Sequence, residues 1–463
     1  MSSTPGKQGS NNDGPSFRGV IGTAREQITP PPGIYSRCWA AAKHDVAAGV
    51  HRPMTLTCLT FQTDSKQPPL VLMGLDLMTW RSREDEWFVR NGVLEALGLP
   101  PERLMMCLSH THASPAVQRT NADKPGGHLI ASYLEQLRGA AIKAAGSALK
   151  NAVPATLTWR YGKCDLAANR DFPEPVSQRI LCGFNPAQSA DDTLLVGRIS
   201  ASGGTTLATI VNYACHPTTL AWENQLISPD YVGALRESVE AHAGGLCLFI
   251  QGASAELAPA EQYVSETHVA DRHGRRLGFA AISVLEGMGP PATNLTYIGI
   301  VESGAPLAIW RREPATASTH LSAELLWTEL PLKKVEDASD LQTQWRIATD
   351  PVLKEKLARR WAIREIVGEG PTSRLPLWIW RLGDSILIGQ QNEAYSALQT
   401  QLRKNHPDRP IVVGNLINGS GGYLPPVEAY ATDLYQVAHT PFASGSLEEL
   451  IRVARSAIQF LIA

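Results

Sequence analysis

The feature that most constrains this chain is a short apolar run that ends in two histidines. Residues Leu104–Leu108 are all apolar, and Ser109-His110-Thr111-His112 follow directly. A run of this length is typical of a buried strand, and side chains two residues apart in extended backbone point to the same side. We therefore expect His110 and His112 to present two nitrogen donors to one small volume. They would begin a metal or proton-transfer site, or they would be buried histidines that only satisfy hydrogen bonds.

Strand patterns and helix patterns alternate around this run. An apolar strand is predicted over residues 70–77, a helix capped by Ser82 comes next, and a further helix is predicted over about 128–150. This order predicts an α/β fold, with mixed β-sheets flanked by α-helices, in a single large catalytic domain over residues 17–463. The charged segment 317–369 has apolar positions at helical spacing, which predicts a helical insertion packed on that domain.

Composition limits the binding partners and the cellular compartment that we expect for this protein. Residues 1–16 are rich in Ser, Gly, Asn and Pro without an apolar segment, which predicts a disordered tail and no signal peptide. No stretch approaches the about 20 consecutive apolar residues of a transmembrane helix. The seven cysteines, odd in number and mostly within apolar runs, predict reduced thiols in a cytoplasmic protein. The net charge of −2 and the pI near 6.6 disfavour nucleic acid and anionic membranes as partners.

Three more polar side chains come just after apolar strand runs, namely His216, Glu393 and Tyr423. Loops beyond the carboxyl ends of strands are where the sites of α/β folds assemble. Imidazoles together with a carboxylate suit Zn²⁺, whose catalytic sites keep one position free for water. Zinc lowers the pKa of that water to about 7, which provides the hydroxide that cleavage of an amide or ester requires. The residues therefore predict a zinc hydrolase.

Other kinds of active site are the alternatives to a zinc hydrolase. The chain has no His-Glu-x-x-His, Gly-x-Gly-x-x-Gly or P-loop motif. A serine hydrolase would use Ser254 in the segment 252–256, where Glu256 occupies the position of the second glycine of a nucleophile elbow. Cys215 precedes His216 in a predicted strand, so its side chain points to the opposite face and a buried structural thiol is favoured. A metal-stabilised ligand-binding protein without turnover is the remaining alternative.

Several short motifs occur along the chain in a fixed order: Gly22-Thr23-Ala24, Ile28-Thr29-Pro30-Pro31, Leu75-Asp76-Leu77, Ser109-His110-Thr111-His112, Asn169-Arg170, and the segments 212–219 and 251–259. This series resembles the catalytic domain of the neutral/alkaline, non-lysosomal ceramidases, and the resemblance covers nearly the whole chain from about residue 17. It implies a zinc-dependent amidase with an N-acyl substrate, since that family cleaves the N-acyl bond of ceramide.

Matched position by position, the resemblance also implies roles for individual residues. The implied zinc ligands are His110, His216, Glu393 and Tyr423. The residues implied to act on the substrate are His112, which contacts the reacting centre, and Arg170 and Tyr435, which hold or stabilise the oxyanion.

Each of these assignments has a simpler structural alternative. Arg170 would form an ion pair with Asp171 or Glu174. Glu393 would compensate the dipole of a helix that begins at that point. Tyr423 would be a packing aromatic after a glycine run.

The chain departs from the family pattern at several positions that bear on the substrate. Residues 113–116 read Ala-Ser-Pro-Ala where Ser-Gly-Pro-Gly is usual, Glu256 replaces an aspartate, and Pro425-Pro426 replace a threonine pair. From the sequence we expect neither the family's C-terminal immunoglobulin-like domain nor an export signal. A smaller soluble amide, N-acyl amine, ester or lactone is therefore as compatible with the sequence as ceramide.

Overall fold

The computed structural model describes residues 15–334 and 336–462. The predicted tail over residues 1–16 lies outside the described residues up to residue 14, whereas Pro15 and Ser16 belong to the first strand. None of the described helices is long and apolar enough to cross a membrane.

Strands and helices are interspersed along the described chain. The strands are β1 (Pro15–Gln27), β2 (Gly49–Val50), β3 (Thr55–Gln62), β4 (Leu70–Leu75), β5 (Leu104–Leu108), β6 (Val153–Lys163), β7 (Ala167–Asn169), β8 (Asp171–Pro173), β9 (Ile180–Cys182), β10 (Thr193–Ala201), β11 (Thr206–Tyr213), β12 (Leu226–Ile227), β13 (Leu246–Gln251), β14 (Leu257–Pro259), β15 (Thr293–Glu302), β16 (Pro306–Pro314), β17 (Leu321–Pro331), β18 (Thr372–Leu382), β19 (Ser385–Gln390), β20 (Glu393–Ala394), β21 (Ile411–Gly414) and β22 (Tyr423–Leu424). The α-helices are α1 (Arg83–Leu97), α2 (Ile130–Lys150), α3 (Tyr231–Ala243), α4 (Thr267–Gly287), α5 (Ala338–Ile347), α6 (Pro351–Val367), α7 (Ala397–Asn405), α8 (Tyr435–His439) and α9 (Ser446–Ile462).

Two sheets form the centre of the molecule. The larger has eight strands in the order β13-β11-β10-β6-β1-β3-β4-β5, and the smaller has the order β17-β18-β19-β21. Both sheets are mixed, because β4 pairs with β5, β11 with β13, and β19 with β21 in parallel, whereas the other neighbours are antiparallel. The predicted α/β class with mixed sheets is confirmed.

The sheets pack face to face between two layers of helices. Along β18, Trp378 and Trp380 point into the apolar layer shared with the larger sheet. The alternate residues Leu377 and Ile379 point to the other side, where α7 and α9 pack. This alternation follows from the two-residue period of a strand that is buried on both faces. On the outer face of the larger sheet, α1 and α2 cover one half, and α3 and α4 cover the other.

The segment 317–369 was predicted to be helical throughout, and its first part is not. Residues Leu321–Pro331 form β17, which pairs with β18 along its whole length, and helices α5 and α6 follow. Alanine, leucine and glutamate give residues 321–331 a helical local preference. Eleven cross-strand pairs with the apolar β18 outweigh that preference, because strand formation depends more on packing context than on propensity.

The loop after β21 joins the two sheets at the edge where several strands end. The Asn415 backbone N–H donates to the Gln251 carbonyl at 2.9 Å, at the end of β13. The Asn418 side-chain oxygen accepts a hydrogen bond of 2.8 Å from the Met106 backbone N–H in β5. The ends of β5, β13 and β21 therefore lie close together, and the predicted site residues follow these strands.

Candidate metal centre

The two histidines of the Ser-His-Thr-His segment lie beyond the end of β5. The Ser109 and His110 backbone N–H groups donate to the carbonyls of Leu75 and Leu77 at 2.8 and 2.9 Å, which holds the segment beside the end of β4. His110 has φ of +69°, a left-handed conformation that a non-glycine residue rarely adopts. The expectation of extended backbone at this point was wrong. The two rings nevertheless converge, with 3.4 Å between the Nε2 atoms of His110 and His112.

His216 and Glu393 complete this cluster from distant parts of the chain. One carboxylate oxygen of Glu393, Oε2, lies 3.2 Å from Nε2 of His110 and 3.1 Å from Nε2 of His216. Glu393 begins the short strand β20, and α7 begins only at Ala397. The expectation that Glu393 opens a helix was therefore wrong, and so was the helix-dipole alternative for its position. Pairing of β20 with β22 fixes this carboxylate at the cluster instead.

The protons of the cluster can be assigned from its outer hydrogen bonds. Nδ1 of His110 lies 2.7 Å from the Met78 carbonyl, and Nδ1 of His216 lies 2.6 Å from the Ser254 carbonyl. A carbonyl oxygen only accepts, so each Nδ1 carries hydrogen and Nε2 is the ring nitrogen left to face Glu393. Burial, followed by the charge of Arg170, lowers the pKa of His216 to about 3, which keeps this ring neutral at pH 7.

When both rings are neutral, Nε2 of His110, Nε2 of His216 and Oε2 of Glu393 are three acceptors that face one another. Burial alone would raise the pKa of Glu393, but its contacts with His110 and His216 hold that pKa well below the usual range, so the carboxylate is ionised. Two lone pairs and a carboxylate oxygen directed at one point repel each other unless a cation lies between them. Histidines whose other ring nitrogen donates to a backbone carbonyl are the usual arrangement around a metal ion. The donor set fits a divalent cation such as zinc.

His112 is the third imidazole and lies closer to solvent. The ring-nitrogen ligand atoms of His110, His112 and His216 all lie within 4.8 Å of one another, as expected for residues that could hold a metal ion. Nδ1 of His112 is 3.9 Å from the Cys38 sulfur, and its ring packs at 5.2 Å from that of Trp39. Loss of hydration on burial lowers the pKa of His112 well below its ordinary value. A neutral ring at this place is able to accept a proton.

Tyr423 lies beside Glu393, because the two residues are direct partners in the parallel pair β20–β22. Burial, followed by the charge of Glu393, raises the pKa of Tyr423 well above its ordinary value. Its ring lies 5.8 Å from that of Tyr435, the first residue of α8. The structure thus brings both predicted tyrosines to the side of the cluster that contains Glu393. Metal ligation by Tyr423 stays a prediction.

Arg170 is directed at the same group of tyrosines. Its guanidinium carbon is 6.0 Å from the centre of the Tyr423 ring, and its Nε donates to the Ala255 carbonyl at 2.8 Å. Arg170 is only 4% exposed, yet its Nη2 has no hydrogen-bond partner among the described residues. A buried charged donor without a partner is costly, and it is suited to an anion that forms during a reaction.

No direct ion pair joins Arg170 to Asp171 or Glu174 in the described part of the chain, although burial raises the pKa of Asp171 and the charge of Arg170 opposes that rise. The Asp171 carboxylate accepts hydrogen bonds from Gln436 and Tyr395 at 2.8 and 3.2 Å. The Glu174 carboxylate accepts instead from the backbone N–H groups of residues 176 and 177.

Comparison with solved structures identifies the fold of the chain that carries this site. A neutral ceramidase from Pseudomonas aeruginosa matches with a TM-score of 0.64 and 15% identity, over 95% of this chain and 74% of that chain. A ceramidase complexed with C2 matches with a TM-score of 0.65 and 14% identity over the same shares of the two chains. This chain has the neutral ceramidase fold. The fold that the sequence resemblance implied is therefore confirmed. A scan against protein-family models and a search of curated proteins found no match.

A small cleft lies beside His112 within this neutral ceramidase fold. His112 lies in its wall together with Cys38, Trp39 and Trp222. The sequence analysis did not single out the two tryptophans. Trp222 comes six residues after His216 in the same loop, and this proximity to a candidate ligand was the available signal. Of the three clustered histidines, His112 is the one that lines the cleft, whereas His110 and His216 are buried.

Ser254 has a supporting position in this neutral ceramidase fold. It is 1% exposed, and its hydroxyl accepts a hydrogen bond of 2.6 Å from Gln251. Nδ1 of His216 is closer to the Ser254 carbonyl, at 2.6 Å, than to the Ser254 hydroxyl, at 3.4 Å. Because that nitrogen already donates its hydrogen to the carbonyl, it cannot take a proton from the hydroxyl. The geometry makes Ser254 an orienting neighbour of His216.

Proposed function

We propose that this chain is a zinc-dependent hydrolase that cleaves an amide (N-acyl) bond. The observation that carries the proposal is the convergence of the Nε2 atoms of His110 and His216 on one Glu393 oxygen, with both Nδ1 atoms held by backbone carbonyls. The ceramidase resemblance of the sequence motifs and the neutral ceramidase fold support the same chemistry.

The residues that would hold zinc are His110, His216, Glu393 and Tyr423. When bound there, zinc would polarise the amide carbonyl and lower the pKa of water. The three imidazoles and the Glu393 carboxylate form the cluster. The cleft reaches this cluster at His112. The scissile amide is therefore expected between His112 and the Arg170–Tyr423–Tyr435 group.

The protein's own residues have separate tasks in this proposal. His112 takes a proton from the attacking water and gives it to the leaving nitrogen, a role that fits a neutral ring at the end of a solvent cleft. The free Nη2 of Arg170 and the hydroxyl of Tyr435 stabilise the negative charge that develops on the carbonyl oxygen. Ser254 and Met78 orient the histidines through their carbonyls.

A panel of N-acyl amides and esters, assayed with and without a zinc chelator, tests the proposal. Chelation should lower hydrolysis at least roughly a hundredfold, because the Lewis acid is worth several kcal/mol of transition-state stabilisation, and added zinc should restore it. Ser254→Ala should retain most of the activity. A serine mechanism would give the opposite pair of results, and a binding protein without turnover would retain zinc but hydrolyse no member of the panel.

A second test concerns the oxyanion. Arg170→Met should lower kcat roughly 100- to 1000-fold, because it removes a preformed donor to developing charge, while zinc content and KM change little. Arg170→Lys should recover part of the rate. Arg276, an exposed arginine on α4 that pairs with Asp165, supplies the matched control, and Arg276→Met should have no effect. An unchanged kcat in Arg170→Met would remove Arg170 from the proposed mechanism.

A further inference from the structure

Residues 254–257 form a buried turn whose backbone binds His216 at both ends. Nδ1 of His216 lies 2.6 Å from the Ser254 carbonyl, and the His216 backbone N–H donates to the Leu257 carbonyl at 2.8 Å. A hydrogen bond of 2.9 Å from the Leu257 N–H to the Ser254 carbonyl closes the turn. Each of the four residues is at most 7% exposed, so the turn lies in the interior. We refer to residues 254–257 as the central turn.

The central turn also binds the residues that face the proposed oxyanion. Arg170 donates from Nε to the Ala255 carbonyl and from its backbone N–H to the Glu256 carbonyl, at 2.8 Å in each case. Gln436 of α8 donates to the same Ala255 carbonyl at 3.1 Å. A displacement of the turn would therefore displace groups on two sides of the proposed site together.

A third set of contacts joins the central turn to the segment that carries Glu393. The Ala255 backbone N–H donates to the Ala394 carbonyl at 3.1 Å. The Glu256 carboxylate accepts from the Ser396 backbone N–H, at 2.9 and 3.1 Å for its two oxygens, and from the Ser396 hydroxyl. Because Ala394 and Ser396 follow Glu393 directly in the chain, these contacts hold the backbone that presents the Glu393 carboxylate to the histidines.

Glu256 makes the side-chain part of this connection, and its burial is unfavourable in itself. Burial raises the pKa of Glu256 to about 7, although the hydrogen bonds from Ser396 oppose that rise. A buried carboxylate that is hydrogen-bonded to neutral groups contributes little net stability, because the loss of hydration offsets its contacts. The clearer consequence of its contacts is the fixed position of Ser396.

We infer that Glu256 is a positioning residue for the metal centre, which holds Ser396 against the central turn and so keeps the Glu393 carboxylate beside His216. This inference rests on the proposed function, in which Glu393 and His216 hold zinc. Stabilisation of α7 is the simpler role for the same contacts, since Ser396 precedes that helix and a carboxylate is favourable at a helix N-terminus. That simpler role would affect the stability of the fold and leave the zinc affinity unchanged.

The test measures the zinc affinity of the full chain and its variants by competition with a fluorescent chelator, a readout that requires no turnover. Glu256→Met keeps most of the side-chain volume and removes the acceptors. It should raise the Kd for zinc roughly 10- to 100-fold, the range for loss of a group that orients a metal ligand. Glu256→Gln keeps one acceptor oxygen for Ser396 and should retain most of the affinity. Ser396→Ala removes the hydroxyl donor and should raise the Kd by less, because the backbone N–H remains.

Glu86 supplies the matched control. It is a glutamate of α1, 5% exposed, whose carboxylate accepts hydrogen bonds from Arg90. Glu86→Met should lower the midpoint of thermal unfolding and leave the Kd for zinc unchanged.

The possible results separate this inference from the proposed function. An unchanged Kd in folded Glu256→Met overturns the inference and leaves the proposed zinc site in place. An equal rise in Glu256→Gln and Glu256→Met, or an equal rise in Glu86→Met, also overturns it, because charge or general destabilisation would then be the cause. If Glu256→Met does not fold, an unchanged Kd in Ser396→Ala has the same meaning. Failure of the original chain to bind zinc overturns the proposed function and this inference with it.

Discussion

Replacing His216 by alanine is expected to abolish zinc binding and to lower amide hydrolysis at least about 1000-fold. The substitution leaves the Glu393 carboxylate facing the single imidazole of His110 at 3.2 Å. A catalytic zinc site usually needs three protein ligands, and of the three proposed ligands that remain, only His110 and Glu393 meet at contact distance. The Lewis acid contributes several kcal/mol, and each 1.36 kcal/mol is a factor of ten in rate. Zinc content by atomic emission and kcat/KM on the best amide of the panel measure the two effects.

The control for this variant is another buried histidine. His273 on α4 is 5% exposed and contacts the Thr219 hydroxyl at 3.2 Å, outside the cluster. His273→Ala creates a comparable cavity, so it should lose stability while retaining one zinc per folded chain. If His216→Ala retained zinc and activity, His216 would not be a metal ligand. If both variants lost zinc, the loss would come from the cavity in the core and the assignment of His216 as a ligand would fail.

His112→Ala is expected to lower kcat/KM roughly 100- to 10,000-fold, the range for removal of a positioned proton-transfer group, with zinc content unchanged. The reason is the position of the ring at the boundary between cluster and cleft. Its Nε2 is 3.4 Å from that of His110, and its other face packs on Trp39 in the cleft wall. Loss of activity with retained metal is the signature that separates this role from ligation.

The matched control is His128, an exposed histidine sixteen residues further along the chain. His128→Ala should match the original protein in both zinc content and kcat/KM. Loss of zinc from His112→Ala would make His112 a ligand. Full activity in that variant would assign the proton transfer to another group.

The sequence pattern predicted that the residues of the metal cluster lie at the ends of strands. Apolar runs that end in a polar residue mark strand ends in a two-layer core, and such ends meet at one edge. On that basis His110, His216 and Glu393 were placed in one site, and the structure brings both histidines within hydrogen-bond distance of one Glu393 oxygen. The same pattern singled out Tyr423, the ceramidase resemblance added Arg170 and Tyr435, and the structure places these three side chains together.

Local backbone geometry could not be predicted in the same way. The left-handed φ of His110 is imposed by the hydrogen bond from its N–H to Leu77, a residue of the loop after β4. Glu393 lies in a two-residue strand because it pairs with Tyr423, thirty positions away. Both features arise from contacts between segments that are distant in sequence, whereas the patterns read from the sequence are local.

The strand Leu321–Pro331 is a larger element that also depends on a contact distant in sequence. Its composition favours a helix, and only the position of β18 beside it makes a strand more stable. The cleft wall formed by Trp39 and Trp222 was missed for a related reason, since the two residues come from loops almost two hundred positions apart.

The most direct test of the proposed zinc centre is anomalous diffraction at the zinc edge from crystals of the zinc-loaded protein. The proposal predicts one strong peak among Nε2 of His110, Nε2 of His216 and the Glu393 carboxylate, with the Tyr423 hydroxyl in contact. Absence of a peak there, or a peak held by other residues, would contradict it.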